Sequence, residues 1–151
     1  MFELEEFLPY RLSVLTNTIS QGIAETYRQR YELSVTEWRI IAVLGRFPGI
    51  PAREVAERTA MDKVAVSRAV KRLEQKGYLY RTTDPGDRRC QRLCLSETPG
   101  MDVLNEVIPR AREYESRLLE SLSGSQLEEL NRIMEVLYQR ALSLNHKKSR
   151  E

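Results

Sequence analysis

The chain has few of the residues on which common active sites depend. Its 151 residues include two cysteines, Cys90 and Cys94, and one histidine, His146. Two cysteines are too few for a disulfide framework, and this set lacks the three or four ligands of a convincing metal site. The sequence also has no glycine-rich phosphate loop, no histidine placed to serve a nucleophile, and no carboxylate pair clustered on one helix face. We therefore expect a protein that is not an enzyme and that holds neither a metal nor a cofactor.

Long hydrophobic runs are also missing. The sequence contains no stretch of about 18 or more uncharged apolar residues, which a membrane-spanning helix requires. Its first residues are acidic and lack the basic segment followed by an apolar one that marks a secretory signal. With 41% hydrophobic and 30% charged residues, the composition is typical of a globular chain of about one domain. We expect a cytoplasmic protein.

Charge is distributed unevenly, although the net charge is only +2. Ten basic and four acidic residues lie between positions 58 and 92, so this window carries +6 and the remainder of the chain −4. A basic centre with acidic flanks is typical of a protein that sets one face against nucleic-acid phosphates.

The first third of the chain has helical periodicity. Apolar residues recur at spacings of three and four over about 7–31, which predicts one long amphipathic helix. Ser34 and Glu37 form a capping box, in which the two side chains satisfy end donors of the next helix. This signature predicts a second helix over about 35–47.

Two further helices and a hairpin follow, and the second of these helices and most of the hairpin lie in the basic window. Pro51 suits the first turn of a third helix over about 51–59, because proline lacks the N–H that would be unpaired there. Asp62 can cap a fourth helix over about 63–76, which Gly77 can end in the left-handed conformation. Strand-forming residues on either side of a Pro-Gly turn then predict a β-hairpin, with strands over about 78–83 and 91–95.

Two more helical patterns occupy the last third of the sequence. They cover about 101–122 and 127–144, and Ser123 with Gln126 forms a second capping box between them. The whole pattern predicts a mainly α fold with a small β-hairpin. Three helices followed by a hairpin are the parts of a winged helix-turn-helix, and this order predicts a protein that binds duplex DNA.

Helical periodicity divides the predicted fourth helix into two faces. The core face carries Val66, Ala69, Val70, Leu73 and Gly77. The opposite face carries Val64, Ser67, Arg68, Lys71, Arg72 and Gln75. On that face Arg68 can read guanine bidentately and Val64 can contact a thymine methyl, whereas Lys71 and Arg72 suit phosphate contacts. The alternative is a basic face that is merely solvated.

In the stretch DRRCQRLCLSETPG, Asp, any residue and Arg precede a leucine-rich strand that ends in Ser, with Gly soon after. This stretch is similar to the wing pattern of the MarR family of transcriptional regulators, and residues 34–100 as a whole resemble that family. Asp87 and Arg89 occupy the two defining positions. An aspartate two residues from an arginine can fix the guanidinium direction, and the resemblance implies that Arg89, with Arg88 beside it, approaches the minor groove. Alternatively, Asp87 and Arg89 only brace the hairpin.

The candidate DNA-binding residues combine the outward helix face with the turn of the hairpin. They are Lys63, Val64, Ser67, Arg68, Lys71, Arg72, Asp87, Arg88 and Arg89.

The resemblance also implies a homodimer formed by flanking helices. It assigns residues 1–32 and 101–146 to a helical dimerisation region and residues 33–100 to the DNA-binding lobe. Residues 147–151 are expected to be a disordered tail, because chain ends fray. A two-fold dimer would present two recognition helices about one DNA turn apart and would favour a pseudo-palindromic operator. The alternative is that the apolar stripes of these helices pack on one another within a monomer.

Members of the family commonly respond to small phenolic or aromatic carboxylate compounds. The resemblance places such a pocket between the dimerising helices and the winged lobe. Its candidate wall residues are Tyr10, Arg11, Asn17, Trp38 and Arg46. Trp38 could instead be part of the core, and Arg11 could be solvated.

We therefore expect a sequence-specific transcriptional regulator, a repressor that a small molecule releases from its operator. One alternative is a winged-helix module that contacts an acidic protein partner. Another is a redox-responsive regulator acting through Cys90, because the arginines at 88, 89 and 92 would favour its thiolate. The family's redox-sensing branch uses a cysteine near the N-terminus, whereas residues 1–89 contain none.

Overall fold

A computed structural model gives the architecture of the chain and describes residues 1–148. These residues form a mainly helical fold with one two-stranded antiparallel hairpin, as the sequence predicts. In chain order the elements are α1 (Leu8–Ala24), α2 (Arg28–Tyr31), α3 (Val35–Arg46), α4 (Ala52–Thr59), α5 (Lys63–Gln75), β1 (Leu79–Thr83), β2 (Gln91–Leu95), α6 (Asp102–Leu119) and α7 (Gly124–Lys148). A 3-10 turn at Leu4–Glu6 precedes α1, and a π-helical turn at Glu97–Met101 precedes α6.

By its contacts the chain divides into two compact units, residues 1–112 and the residues from 113 onward. The first unit contains the hydrophobic core, in which α3, α4 and α5 pack on one another, α3 and α4 contact β2, and α5 contacts β1. Its fully buried side chains include Ile40, Leu44, Val55, Leu73 and Leu93. Across residues 1–148 no helix is both long and apolar enough to span a membrane.

The prediction of one continuous helix over 7–31 is wrong, because α1 ends at Ala24 and a short α2 follows. Thr26 donates its hydroxyl to the Ile23 carbonyl at 2.7 Å, and Tyr27 leaves the helical conformation with φ −129° and ψ −18°. The Tyr27 ring is then fully buried and stacks on Trp38 with 5.4 Å between ring centroids. Burial of this large aromatic ring accompanies the break in the helix.

Helix caps fix the beginnings of three helices as predicted. The Ser34 hydroxyl accepts from the Glu37 amide at 3.1 Å, and the Ser34 amide donates to the Glu37 carboxylate at 3.2 Å. Asp62 accepts from the Ala65 amide at 2.9 Å at the start of α5. The second capping box, Ser123 with Gln126, also forms, with distances of 2.9 and 3.2 Å.

Three details at the helix ends differ from the prediction. Pro51 is the residue just before α4 rather than part of its first turn. Gly77 follows the end of α5 in the left-handed conformation, as predicted, with φ at +81°, but it is exposed rather than part of the core face of the helix. At that angle glycine is favoured because it has no Cβ. The end of α7, at Lys148, falls inside the predicted tail, and residues 149–151 lie outside the described residues.

The hairpin is tied to the linker between α3 and α4. β1 and β2 pair in register from Leu79 opposite Leu95 to Thr83 opposite Gln91. The Gly49 amide donates to the Leu93 carbonyl, and the Leu93 amide donates to the Ile50 carbonyl, both at 2.9 Å. This short bridge fixes the start of α4 beside β2.

Candidate nucleic-acid interface

Helix α5 has the two faces that its sequence predicts. Val66, Ala69, Val70 and Leu73 are at most 1% exposed and belong to the core. All six residues predicted on the opposite face are exposed, and so is Lys63 at the first position of the helix. Val64 is 55% exposed, which places an apolar side chain among basic and polar ones near the helix N-terminus. The outward face therefore has the mixed chemistry that base-edge recognition uses.

The ten basic residues between positions 58 and 92 separate into two groups by their acid partners. Four form ion pairs, namely Arg58 with Glu54, Lys76 with Glu37, Arg81 with Glu74 and Arg92 with Asp84. The other six form no ion pair within residues 1–148, and they are Lys63, Arg68, Lys71, Arg72, Arg88 and Arg89. The unneutralised group lies on the outward face of α5 and at the turn of the hairpin.

Asp87 has a different role from the one predicted for it. Its carboxylate accepts from the Arg89 backbone amide at 3.0 Å, whereas the prediction was that it orients the Arg89 guanidinium. Aspartate commonly bonds the amide two residues on, because its short side chain reaches that donor and closes a turn. The Asp and Arg of the wing pattern are therefore linked through the backbone, and the guanidinium has no bonded partner in the part of the chain that the structure describes.

Asp84 is a wing residue that the sequence analysis missed. One of its carboxylate oxygens accepts from the Gly86 amide at 2.8 Å, and the other accepts from the Arg92 Nε and Nη2 atoms at 3.0 and 2.9 Å. The Gly86 N–H first, and then the Arg92 guanidinium, hold the pKa of Asp84 below its ordinary value. The available signal was an aspartate directly before the Pro-Gly turn, with an arginine at the facing strand.

Ser96 and Gly100, the last two positions of the wing pattern, hold the hairpin against the next helix. The Ser96 hydroxyl donates to the Gly77 carbonyl at 2.6 Å and accepts from the Gly100 amide at 3.0 Å. A Cβ on Gly100 would lie 2.4 Å from the Tyr78 carbonyl oxygen. Only glycine fits this close approach without a backbone shift.

The five candidate effector residues lie on two helices. Tyr10, Arg11 and Asn17 are exposed on α1. Trp38 and Arg46 lie on α3, where Trp38 is half-buried against Tyr27 and the Arg46 guanidinium lies 4.9 Å from the centroid of the Phe47 ring. The described contacts do not bring these five side chains into one site.

A further polar group lies beside Trp38. The Tyr27 hydroxyl is buried and has no hydrogen-bond partner among the described residues. Burial raises its pKa, and the charges of Arg28 and Arg39 partly oppose this shift. Arg39 itself donates to the Ser20 hydroxyl of α1 at 3.0 Å. Sequence reasoning missed Tyr27, because the helical periodicity placed it on an apolar stripe.

The two cysteines are free and half-buried, Cys90 in the turn region of the hairpin and Cys94 on β2. His146 lies near the end of α7. In residues 1–148 no group of three or more His, Cys, Asp or Glu side chains is arranged to hold a metal ion.

Comparison with known proteins places this geometry among DNA-binding regulators. A family model described as the MarR family matches residues 31–89. The HTH-type transcriptional repressor IacR of Pseudomonas putida is 23% identical over 137 residues, which are 91% of this chain and 81% of that protein.

Two solved structures show the same fold over nearly the whole chain. The MarR/EmrR family transcriptional regulator from Acinetobacter sp. ADP1 is 26% identical, with a TM-score of 0.84 over 94% of this chain and 99% of that one. The PcaV transcriptional regulator from Streptomyces coelicolor, in complex with its natural ligand, is 20% identical, with a TM-score of 0.78 over 93% and 98%. The chain thus has a winged helix-turn-helix geometry, matches the MarR family model over residues 31–89, and shares its fold with solved MarR-family transcriptional regulators.

Proposed function

We propose that the chain is a sequence-specific repressor that binds a pseudo-palindromic operator as a homodimer and leaves it when a small aromatic acid or phenol binds. The observation that carries the DNA-binding part is the separation of basic residues in the winged lobe. The four that form ion pairs with acids brace the lobe, whereas the six that have no such partner among residues 1–148 lie on the outward face of α5 and at the wing turn.

The proposed contacts follow from position and chemistry. α5 enters the major groove, where Arg68 reads a guanine and Val64 meets a thymine methyl, with Ser67 beside them. Lys63, Lys71 and Arg72 contact phosphates. Arg88 and Arg89 approach the minor groove, and Asp87 supports them by holding the turn through the Arg89 amide.

The homodimer is supported by apolar side chains that the single chain leaves exposed. Phe7, Leu8, Leu12 and Leu15 are each more than two-fifths exposed near and along α1. On α7 a stripe of exposed apolar residues recurs at spacings of three, four and seven, namely Leu130, Ile133, Met134, Leu137 and Leu144. Such stripes are unfavourable in water and suit a second copy of the same surface. The assignment of residues 1–32 and 101–146 to dimerisation remains a prediction.

The effector proposal has its best support around Trp38. An aromatic ring partly exposed beside an unpartnered, buried Tyr27 hydroxyl offers stacking and a hydrogen bond to a phenol or carboxylate. PcaV, which shares the fold, is known in complex with its natural ligand. A screen of aromatic acids for release of bound DNA tests this part, and Tyr27→Phe should weaken the response to an active compound.

The DNA-binding proposal is tested by selecting genomic fragments on the purified full-length protein and measuring their affinity over a range of salt. The affinity should fall log-linearly with salt, because each neutralised phosphate releases counterions. Selection of no sequence above background would favour the alternative, a winged-helix module for an acidic protein partner.

A second experiment tests the wing. Arg89→Ala should weaken operator binding without lowering the melting temperature appreciably, because the guanidinium has no bonded partner within residues 1–148 and the turn bond uses the backbone amide. Operator binding at the wild-type level by this variant would rule out the wing contact.

A further inference from the structure

A cleft opens between the start of α4 and the turn of the hairpin. It has a volume of about 510 Å³ and is lined on one side by Pro51 and Arg53 and on the other by Arg88 and Arg89. Arg81 and Asp87 also line it. Arg53 lies outside the basic window of the sequence and is not among the residues so far assigned to DNA.

The charge inside this cleft is mostly unneutralised. Arg81 is bonded to Glu74 at 2.6 Å, and Asp87 is the acid on the cleft wall, with one oxygen accepting the Arg89 amide. Arg53, Arg88 and Arg89 form no ion pair within residues 1–148. Three free guanidinium groups therefore line one cleft with a single carboxylate, and such a group of arginines suits an anion with several oxygens.

The backbone fixes the two walls of the cleft relative to each other. The Gly49 amide and the Ile50 carbonyl both bond Leu93 on β2, so the chain enters α4 alongside the hairpin. Arg53 follows within the first turn of α4 and is exposed. The cleft is continuous with the proposed interface, because Arg88 and Arg89 belong to both.

We propose that this cleft binds a phosphate of the DNA backbone and that Arg53 is a DNA-contacting residue. This inference rests on the proposed function and extends it. The phosphate would be contacted both by α4, the first helix of the helix-turn-helix, and by the wing, which is the turn between β1 and β2. A phosphodiester carries the charge and the oxygens that paired guanidinium groups bind, and it bears no base sequence. Arg53 thus contributes affinity without contributing base preference.

The test compares full-length wild type with Arg53→Gln on a selected fragment and on an unrelated duplex at several salt concentrations. Loss of one phosphate contact should reduce the slope of log affinity against log salt by about 0.9 for each chain bound. The affinities for the two duplexes should fall by the same factor. Because Arg53 is exposed and forms no ion pair in the part of the chain that the structure describes, the melting temperature should stay at the wild-type value.

Arg28→Gln is the matched control, since it removes the same charge from an exposed arginine on α2 that does not line the cleft. An equal loss of slope in this control would assign the effect to net charge and overturn the proposal. A wild-type slope for Arg53→Gln would also overturn it, whereas failure of the wild type to bind either duplex would instead refute the proposed function.

Calorimetry of the free protein with inorganic phosphate, at constant ionic strength, tests whether the cleft binds a free phosphate ion rather than a phosphate of the DNA backbone. No saturable heat is expected at low millimolar phosphate. Saturable binding that Arg53→Gln abolishes would assign the cleft to a free anion rather than to DNA and would overturn the proposal.

Discussion

The basic residues of the winged lobe differ in whether they form an ion pair with an acid. Those that do stabilise the lobe, and those that do not are available to contact DNA. Arg92 forms an ion pair with Asp84, and Lys76 forms one with Glu37, both within the lobe. Glu37 is only 4% exposed, so this pair with Lys76, together with its capping bonds, satisfies a buried carboxylate. Arginines without an acid partner among residues 1–148 have guanidinium N–H donors available for a ligand. Replacing one of them should change DNA affinity and leave the free energy of unfolding unaltered.

Arg68 and Lys71 provide a test of base reading against phosphate contact. Both are exposed on the outward face of α5, one turn of helix apart. Arg68→Ala should lower operator affinity by about 1 to 3 kcal/mol and relax base preference at one position, because a bidentate contact to guanine is lost. Lys71→Ala should weaken all sequences about equally. Binding measured on a set of single-base operator variants distinguishes the two, and a uniform loss for Arg68→Ala would reassign it to phosphate.

Asp84 gives the hairpin a pH-dependent contribution with a defined sign. Because folding lowers its pKa, the bonds of the carboxylate stabilise the hairpin above the ordinary value of 3.8, and this stabilisation is lost as the pH falls through the lowered pKa. Carbon-detected NMR titration should therefore give Asp84 a pKa below 3.8. Arg92→Gln should raise the pKa only part of the way back, since the Gly86 N–H remains. An unchanged Asp84 pKa in that variant would show that the ion pair between Asp84 and Arg92 does not form in solution.

At the scale of elements, the junction between the hairpin and α6 depends on close backbone packing. The Ser96 hydroxyl donates to the carbonyl of Gly77, just beyond α5, and accepts from the amide of Gly100, so one hydroxyl joins three segments. Glu106 on α6 in turn accepts from the Tyr31 hydroxyl and the Arg30 guanidinium of α2. The serine and glycine of the wing pattern thus hold the lobe together, whereas its arginine is free to contact DNA.

Gly100→Ala tests this junction. The added Cβ would meet a backbone carbonyl at 2.4 Å, so the variant should lose about 1 to 3 kcal/mol of unfolding free energy. For a chain of this length each kcal/mol corresponds to about 2 to 4 °C of melting temperature. Gly86→Ala is the control, because its Cβ would make only an ordinary contact at 3.5 Å, and it should melt within about 0.5 kcal/mol of wild type. Equal melting of both variants would show that the junction tolerates a side chain.

Elements whose ends are set by local chemistry could be predicted from the sequence, and α3 and α5 begin where their caps indicated. The break at Tyr27 could not, because a residue on an apolar stripe looks the same whether it continues a helix or turns into the core. The Asp84 pair was missed since it depends on the register of two strands, which the turn length leaves undetermined. Arg53 was missed because its partners lie on another element, about 35 residues away.

At the scale of the whole molecule, dimerisation through the apolar stripe on α7 would determine the spacing of the two operator half-sites. A two-fold dimer sets its recognition helices about one DNA turn apart, so both half-sites must lie on one face of the duplex. If the chain forms the proposed dimer, Leu137→Glu places a charge in the middle of the exposed apolar stripe and should convert that dimer into a 17.6 kDa monomer. Gln139→Glu, on the opposite side of α7, adds the same charge and should leave the dimer intact. Sedimentation velocity measures both outcomes.

The same variants predict how the protein responds to half-site spacing. Inserting about half a helical turn between the half-sites rotates one of them to the far side of the duplex, so the wild type should bind no better than to a single half-site. Leu137→Glu binds one half-site at a time and should be indifferent to the insertion, whereas Gln139→Glu should respond as the wild type does. If the insertion weakened Leu137→Glu and the wild type equally, one chain would be contacting both half-sites. The apolar stripe would then have another role than dimerisation.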